Sequence, residues 1–100
     1  MPTQTLPFDA ARYLKSPEAQ TEILSDAFAS GDARYIATAL GVVARARGMT
    51  EVAREAGVTP EALDKALSEE GDPRLTTLLG VLKALGIRLS AVPADRDRAA

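Results

Sequence analysis

The sequence predicts an all-α domain of five or six helices, with a helix-turn-helix near residues 49 to 68 and a short C-terminal strand at 87 to 92. Three observations carry that expectation. Turn signals at Gly31-Asp32, Gly48, Gly57, Gly71-Asp72-Pro73, Gly86 and Pro93 cut the 100-residue chain into short segments. In most of those segments apolar residues recur at helical spacing. Nineteen alanines and twelve leucines add helical propensity.

The elements follow in order. In Leu6 to Leu14 (LPFDAARYL), Asp9 can cap one short turn that brings Tyr13 and Leu14 back toward Phe8. Ser16-Pro17-Glu18 is a stronger start: a hydroxyl cap, a proline where no N–H is needed, and an acid at the positive end of the dipole. Ile23 and Ala27, with Leu24 and Phe28, then give one apolar face, and Gly31 ends the helix. Asp32 can cap the next helix. Its stripe is Ile36, Leu40, Val43 and Ala44, widened by Tyr35, Ala39 and Val42, and Arg45 and Arg47 suit its negative end. Thr50 is expected to cap a helix of under two turns that closes at Gly57. Thr59-Pro60-Glu61 starts another, with Ala62, Leu63, Ala66 and Leu67 on its buried side. Leu75, Leu78, Leu79, Leu82 and Leu85 form the strongest amphipathic stripe of the chain. Beyond Gly86, Ile87 to Val92 alternates with period two. A lone strand has no ladder, so Ile87 and Leu89 are expected to pair with the same strand of a second copy. The expected organisation is a helical extension over 1–31, a core over 32–86, a dimerisation strand over 87–92 and a flexible polar tail over 93–100.

Composition excludes much. The formal charge is −2, with 46% hydrophobic and 26% charged residues, as in an ordinary globular domain. There is no Cys, His or Trp. Disulfides, thiolate nucleophiles, His-based acid–base chemistry and the usual zinc, haem and iron–sulfur ligand sets are therefore absent. No enzyme activity, metal or cofactor is expected. The seven glycines form no phosphate-binding loop, and Glu69-Glu70 reads as a solvated turn. No apolar run approaches the length of a membrane span, and the first residues lack a signal-peptide pattern, so no membrane association and a cytoplasmic location are expected.

The segment Met49 to Leu67 carries the functional reading. Two short helices around a tight glycine turn are the helix-turn-helix signature. Ala53 must be small where the second helix crosses over the first. Gly57, four residues later, can turn left-handed, Val58 fills the angle, and Leu63 with Ala66 pins the second helix. This spacing leaves two readings open: a DNA-binding helix-turn-helix, which it favours, and a generic helical hairpin.

The stretches PFDAARYLKSPEA and GDARYIATALGVVARARGMTEVAREAGVTPEALDKALSEEGDPRLTTLLGVLKALGIRLS resemble the HigA-like antidotes of addiction modules. The order of the motifs and the gaps between them agree over nearly the whole chain. The resemblance implies a helix-turn-helix of the Cro/repressor type and an antitoxin acting as transcriptional regulator. It implies dimeric binding to operator DNA at the module's own promoter, and a small RelE/HigB-like ribonuclease toxin as partner. On that reading the residues expected at DNA are Thr50, Thr59, Pro60, Glu61, Asp64, Lys65 and Arg74. Thr59 can touch a phosphate or a base and Lys65 a phosphate or a guanine edge. Glu61 can accept only from a cytosine amine. Asp64 is a like charge against phosphate unless it too meets one.

The chain departs from the family it resembles at two of these positions. Relatives usually carry a basic residue where Pro60 stands and a tyrosine where Asp64 stands. Over residues 49 to 68 the acids Glu51, Glu55, Glu61 and Asp64 outnumber the bases Arg54 and Lys65. Affinity for DNA then has to come from Arg45, Arg47, Arg74 or Lys83 and from backbone N–H groups after Pro73. A module whose helix-turn-helix has lost DNA binding and serves protein contacts is the alternative. In the N-terminal third, core packing is the simpler reading of the apolar residues. A toxin-binding surface built on Phe8, Tyr13 and Leu14, with Asp9, Glu18, Glu22 and Asp26 supplying acidic charge, is the functional one.

Overall fold

The computed structural model describes residues 16–94. The expected turn at 6–14, with Phe8, Tyr13 and Leu14, and most of the expected tail (95–100) lie outside the described residues. Five helices follow in order: α1 (Pro17–Ser30), α2 (Ala33–Arg47), α3 (Met49–Ala56), α4 (Pro60–Ala66) and α5 (Leu75–Leu85). Among the described residues the fold is all-helical.

The predicted starts of α1, α2 and α4 are realised by side-chain caps. Ser16 Oγ accepts from the Ala19 N–H at 3.1 Å. Asp32 Oδ1 accepts from the N–H groups of Arg34 and Tyr35 at 2.9 and 3.3 Å. Thr59 Oγ1 accepts from Ala62 N–H at 3.0 Å. Each such cap typically contributes about 1 kcal/mol. Gly31, Gly57 and Gly86 end their helices in the left-handed region, as expected of C-terminal glycines.

Leu24 and Ala27 of α1, Leu40, Val43 and Ala44 of α2, Val52 and Ala53 of α3, Leu63 of α4, Leu67 just beyond it, and Val81, Leu82 and Leu85 of α5 form one continuous core. α3 lies at its centre, packed on α5, α4 and α2, while α1 packs on α2. Two glycines inside helices make close crossings. A Cβ on Gly41 would stand 2.4 Å from the Leu67 carbonyl oxygen, and one on Gly80 3.1 Å from Ala56 Cα. The first lets the end of α4 sit against α2, and the second brings α5 against α3.

Arg47 ties three helices together. Its guanidinium donates to Gln20 Oε1 of α1 at 3.3 Å and to the Leu85 carbonyl at the end of α5 at 3.0 Å. It thus satisfies a buried amide and a terminal carbonyl at once. Its partners are neutral oxygens, so the guanidinium serves the scaffold while keeping its charge, and the residue stays exposed.

Several expectations change. Thr50 is not a cap: α3 begins at Met49 after Gly48, has no side-chain cap, and runs eight residues, slightly more than two turns. Gly48 can take φ 120° at this junction, so the chain passes from α2 into α3 with no room for a separate capping residue. Residues 87–92 form no strand within the chain, because no partner strand lies beside them among the described residues. Ala62 is exposed, and so are Leu75 (66%) and Leu79 (47%) of the expected α5 stripe. The periodicity identified the helix correctly but overstated how much of its apolar face this chain covers.

Candidate functional site

The α3–α4 corner is built as its residues require. Gly57, at φ 79°, donates its N–H to the carbonyls of Ala53 and Arg54, and Val58 N–H reaches the Ala53 carbonyl at 3.0 Å. That pair of bonds closes α3 and turns the chain at a fixed angle. Val58, half-buried, packs against the core in the angle it was expected to fill. Thr59 then caps α4 and Pro60 takes its first position. Leu63 and Leu67, both 0% exposed, anchor the helix, each burial being worth roughly 2 kcal/mol.

Helical geometry places the remaining side chains. With Leu63, Ala66 and Leu67 facing inward and about 100° between successive residues, Glu61 and Lys65 project away from the core. Ala62 and Asp64 fall on opposite flanks. Thr59, Glu61, Asp64 and Lys65 are all exposed, and Pro60 is half-buried. The Thr59 hydroxyl accepts the cap bond and keeps its own hydrogen to donate.

The acidic excess of this segment is partly neutralised in place. Arg45, from the last turn of α2, donates from Nε and from one terminal nitrogen to the same Asp64 oxygen, at 3.2 and 2.8 Å. Asp64 is therefore half of an ion pair rather than an isolated negative charge. Glu51 is paired with Arg54 on the surface of α3. Glu55 and Glu61 form no ion pair among the described residues. The arrangement presents one acid and one base, Glu61 and Lys65, on the outermost line of α4, with a hydroxyl at its start and a guanidinium on one flank.

The other predicted site residues sit nearby in the sequence but are not joined to this group. Thr50 is exposed in the first turn of α3. Arg74 is exposed at the start of α5, whose first N–H groups have no side-chain cap. No hydrogen bond links either residue to α4 among the described residues. Sequence reasoning did not foresee the Arg45–Asp64 pair, although Arg45 had been named as a source of positive charge. The two residues are 19 apart, and only the α2–α4 crossing over Gly41 brings them together.

On the acidic side of α1, Glu18 holds its carboxyl below the usual range, through its own backbone N–H and then the Ser16 hydroxyl, at 3.0 Å. Asp26 accepts a hydrogen bond from the Tyr35 hydroxyl, which pushes the phenol above its ordinary value. Near the C-terminus, Leu79, Lys83, Gly86, Ile87 and Leu89 line a shallow apolar depression. Ile87 is half-buried and Leu89 is 42% exposed. Among the described residues no cluster of acids is arranged to hold a metal ion, and no helix is long and apolar enough to cross a membrane.

Residues 4–93 match a family described as probable addiction module antidote protein. An uncharacterized protein of Haemophilus influenzae is 40% identical over 88 residues, spanning 88% of this chain and 91% of that one. No solved structure matches the chain.

Proposed function

The chain belongs to the family of probable addiction module antidote proteins, and from that premise we infer that it is a DNA-binding antitoxin of the HigA-like kind. On this reading it binds the promoter of its own module as a homodimer and neutralises a small RelE/HigB-like toxin. The α3–Gly57–α4 corner is then a Cro/repressor-type helix-turn-helix, with α4 in the major groove. The observation that carries the reading is the build of α4: capped by Thr59, anchored by two fully buried leucines, and left with its Glu61–Lys65 line open to solvent. Lys65 reaches a guanine edge or a phosphate, and Glu61 selects for a cytosine amine while disfavouring other bases. Thr59, Thr50 and Arg74 supply backbone contacts that set register, and Pro60, with no N–H, contributes only van der Waals contact.

One short helix reads few bases, so specificity needs two copies spaced about one turn of DNA apart. Leu75, Leu79 and Leu89 are exposed on α5 and the segment after it. With Ile87 they would form the dimer surface, and 87–92 would gain across the dimer the strand partner it lacks within one chain. The toxin surface falls to Phe8, Tyr13 and Leu14 together with the acidic edge of α1.

Electrophoretic mobility shift on the DNA upstream of the chain's own reading frame tests the DNA assignment. A retarded complex that weakens with salt, and weakens further in Lys65→Ala, is the expected result. No retarded species at micromolar protein and low salt would favour the second reading, a protein-interaction module with a degenerate helix-turn-helix. The unpaired Glu61 on the outermost line of α4 is the observation on that reading's side.

A further inference from the structure

The geometry points to Arg45, a residue of α2 outside the reading helix, as a phosphate anchor of the DNA face, with Asp64 as the residue that positions it. The inference rests on the DNA-binding reading above and adds a contact to it.

Arg45 binds the single Asp64 oxygen through two nitrogens, Nε at 3.2 Å and a terminal nitrogen at 2.8 Å. Its other terminal nitrogen lies 3.0 Å from where a Cβ on Gly41 would stand. The absence of a side chain at Gly41 thus lets the guanidinium rest against α2. Two of the five guanidinium N–H bonds are used on Asp64, and three remain. Both side chains are accessible, at 47% and 60%. The group is therefore oriented without being enclosed.

Its position matters because of how a helix fits DNA. A helix with its side chains is about 10–12 Å across and the major groove is about 12 Å wide. The outermost line of the helix, here Glu61 and Lys65, meets base edges. Its flanks meet the groove walls, which are phosphates. Asp64 lies on a flank, where a bare carboxylate repels the wall. Clipped to Arg45, it instead holds a planar fork whose free N–H bonds match phosphate oxygens. The contact carries no sequence information and adds affinity for any duplex. Asp64 changes its effect with its partner: beside Arg45 it helps binding, and without Arg45 it opposes it.

That dependence defines the test. Fluorescence anisotropy is measured on two duplexes, the DNA upstream of the chain's reading frame and a scrambled duplex of the same composition. The full chain is compared with Arg45→Ala, Asp64→Asn and the double variant. Arg45→Ala should weaken binding to both duplexes about tenfold and make the slope of log K against log salt shallower by about 0.9. Asp64→Asn should weaken binding roughly threefold while Arg45 is present, and strengthen it in the Arg45→Ala background. Arg45→Lys should keep the salt slope but lose the dependence on Asp64.

Asp64→Asn strengthening binding in both backgrounds would mean simple repulsion and overturn the proposal. So would Arg45→Ala with unchanged affinity and slope, or variants that only lower the melting temperature. Wild-type protein that binds neither duplex overturns the DNA reading and this contact together. Wild-type binding without the sign reversal overturns the contact alone.

Discussion

Tyr35 and Asp26 join the ends of α1 and α2 across Gly31-Asp32, and their hydrogen bond needs the phenol protonated. The Asp26 carboxylate beside it, through the hydrogen bond and like-charge repulsion of a phenolate, raises the Tyr35 value above 10.0. A raised folded value means the contact stabilises the fold below that pH, and its contribution is lost as pH rises through the raised value. Absorbance titration of tyrosinate should show one of the two tyrosines ionising late, and Asp26→Asn should return it toward the ordinary range. An unshifted titration in the wild-type chain would remove this contact from the account. At the same scale, sequence spacing revealed the caps Ser16, Asp32 and Thr59, because a cap is a local event within three residues. It did not reveal Arg45–Asp64 or Arg47–Gln20, whose partners are 19 and 27 residues apart. Those pairs depend on which helices cross, and spacing along one helix carries no such information.

Among the elements, the α2–α4 crossing depends most on a single atom's absence. Gly41 lies mid-helix, where glycine weakens a helix, and sequence periodicity gives no reason for it. The reason is the Leu67 carbonyl, 2.4 Å from where a Cβ would be. Gly41→Ala should therefore destabilise the chain by about 1–3 kcal/mol despite better helix propensity, lowering the melting temperature by several degrees. A melting temperature equal to or above wild type would show that the crossing is looser than described. Helix α5 teaches the complementary lesson. Its leucine repeat made its helical state plain, yet Leu75 and Leu79 stay exposed. A period reports which residues share a face, and it does not report whether the cover for that face comes from the same chain.

For the whole molecule, that uncovered face bears on assembly. If a second copy covers Leu75, Leu79, Ile87 and Leu89, sedimentation velocity should give a dimer at micromolar concentration. Leu79→Glu should give a monomer with an unchanged circular dichroism spectrum. A wild-type monomer at tens of micromolar would remove the dimer from the proposal. The all-helical class, the order of the helices and the tight corner at Gly57 could all be read from turn signals and periodicity. The strand expected at 87–92 is not present among the described residues, because a strand is a relation between two segments and one chain offers only one of them. The net charge was the least informative global figure. What matters is where the acids lie: Glu51 and Asp64 are paired, whereas Glu55 and Glu61 form no ion pair among the described residues, and Glu61 shares the outermost line of α4 with Lys65.

Whether α4 reads DNA despite Glu61 is decided by the affinity ratio between the duplex upstream of the chain's own reading frame and a scrambled duplex of equal length, taken across a salt series. A reading helix gives a preference for the upstream duplex that persists at physiological salt, falling affinity for both as salt rises, and loss of the preference in Glu61→Ala or Lys65→Ala. Equal affinity for the two duplexes at every salt concentration, or no binding to either, would contradict it.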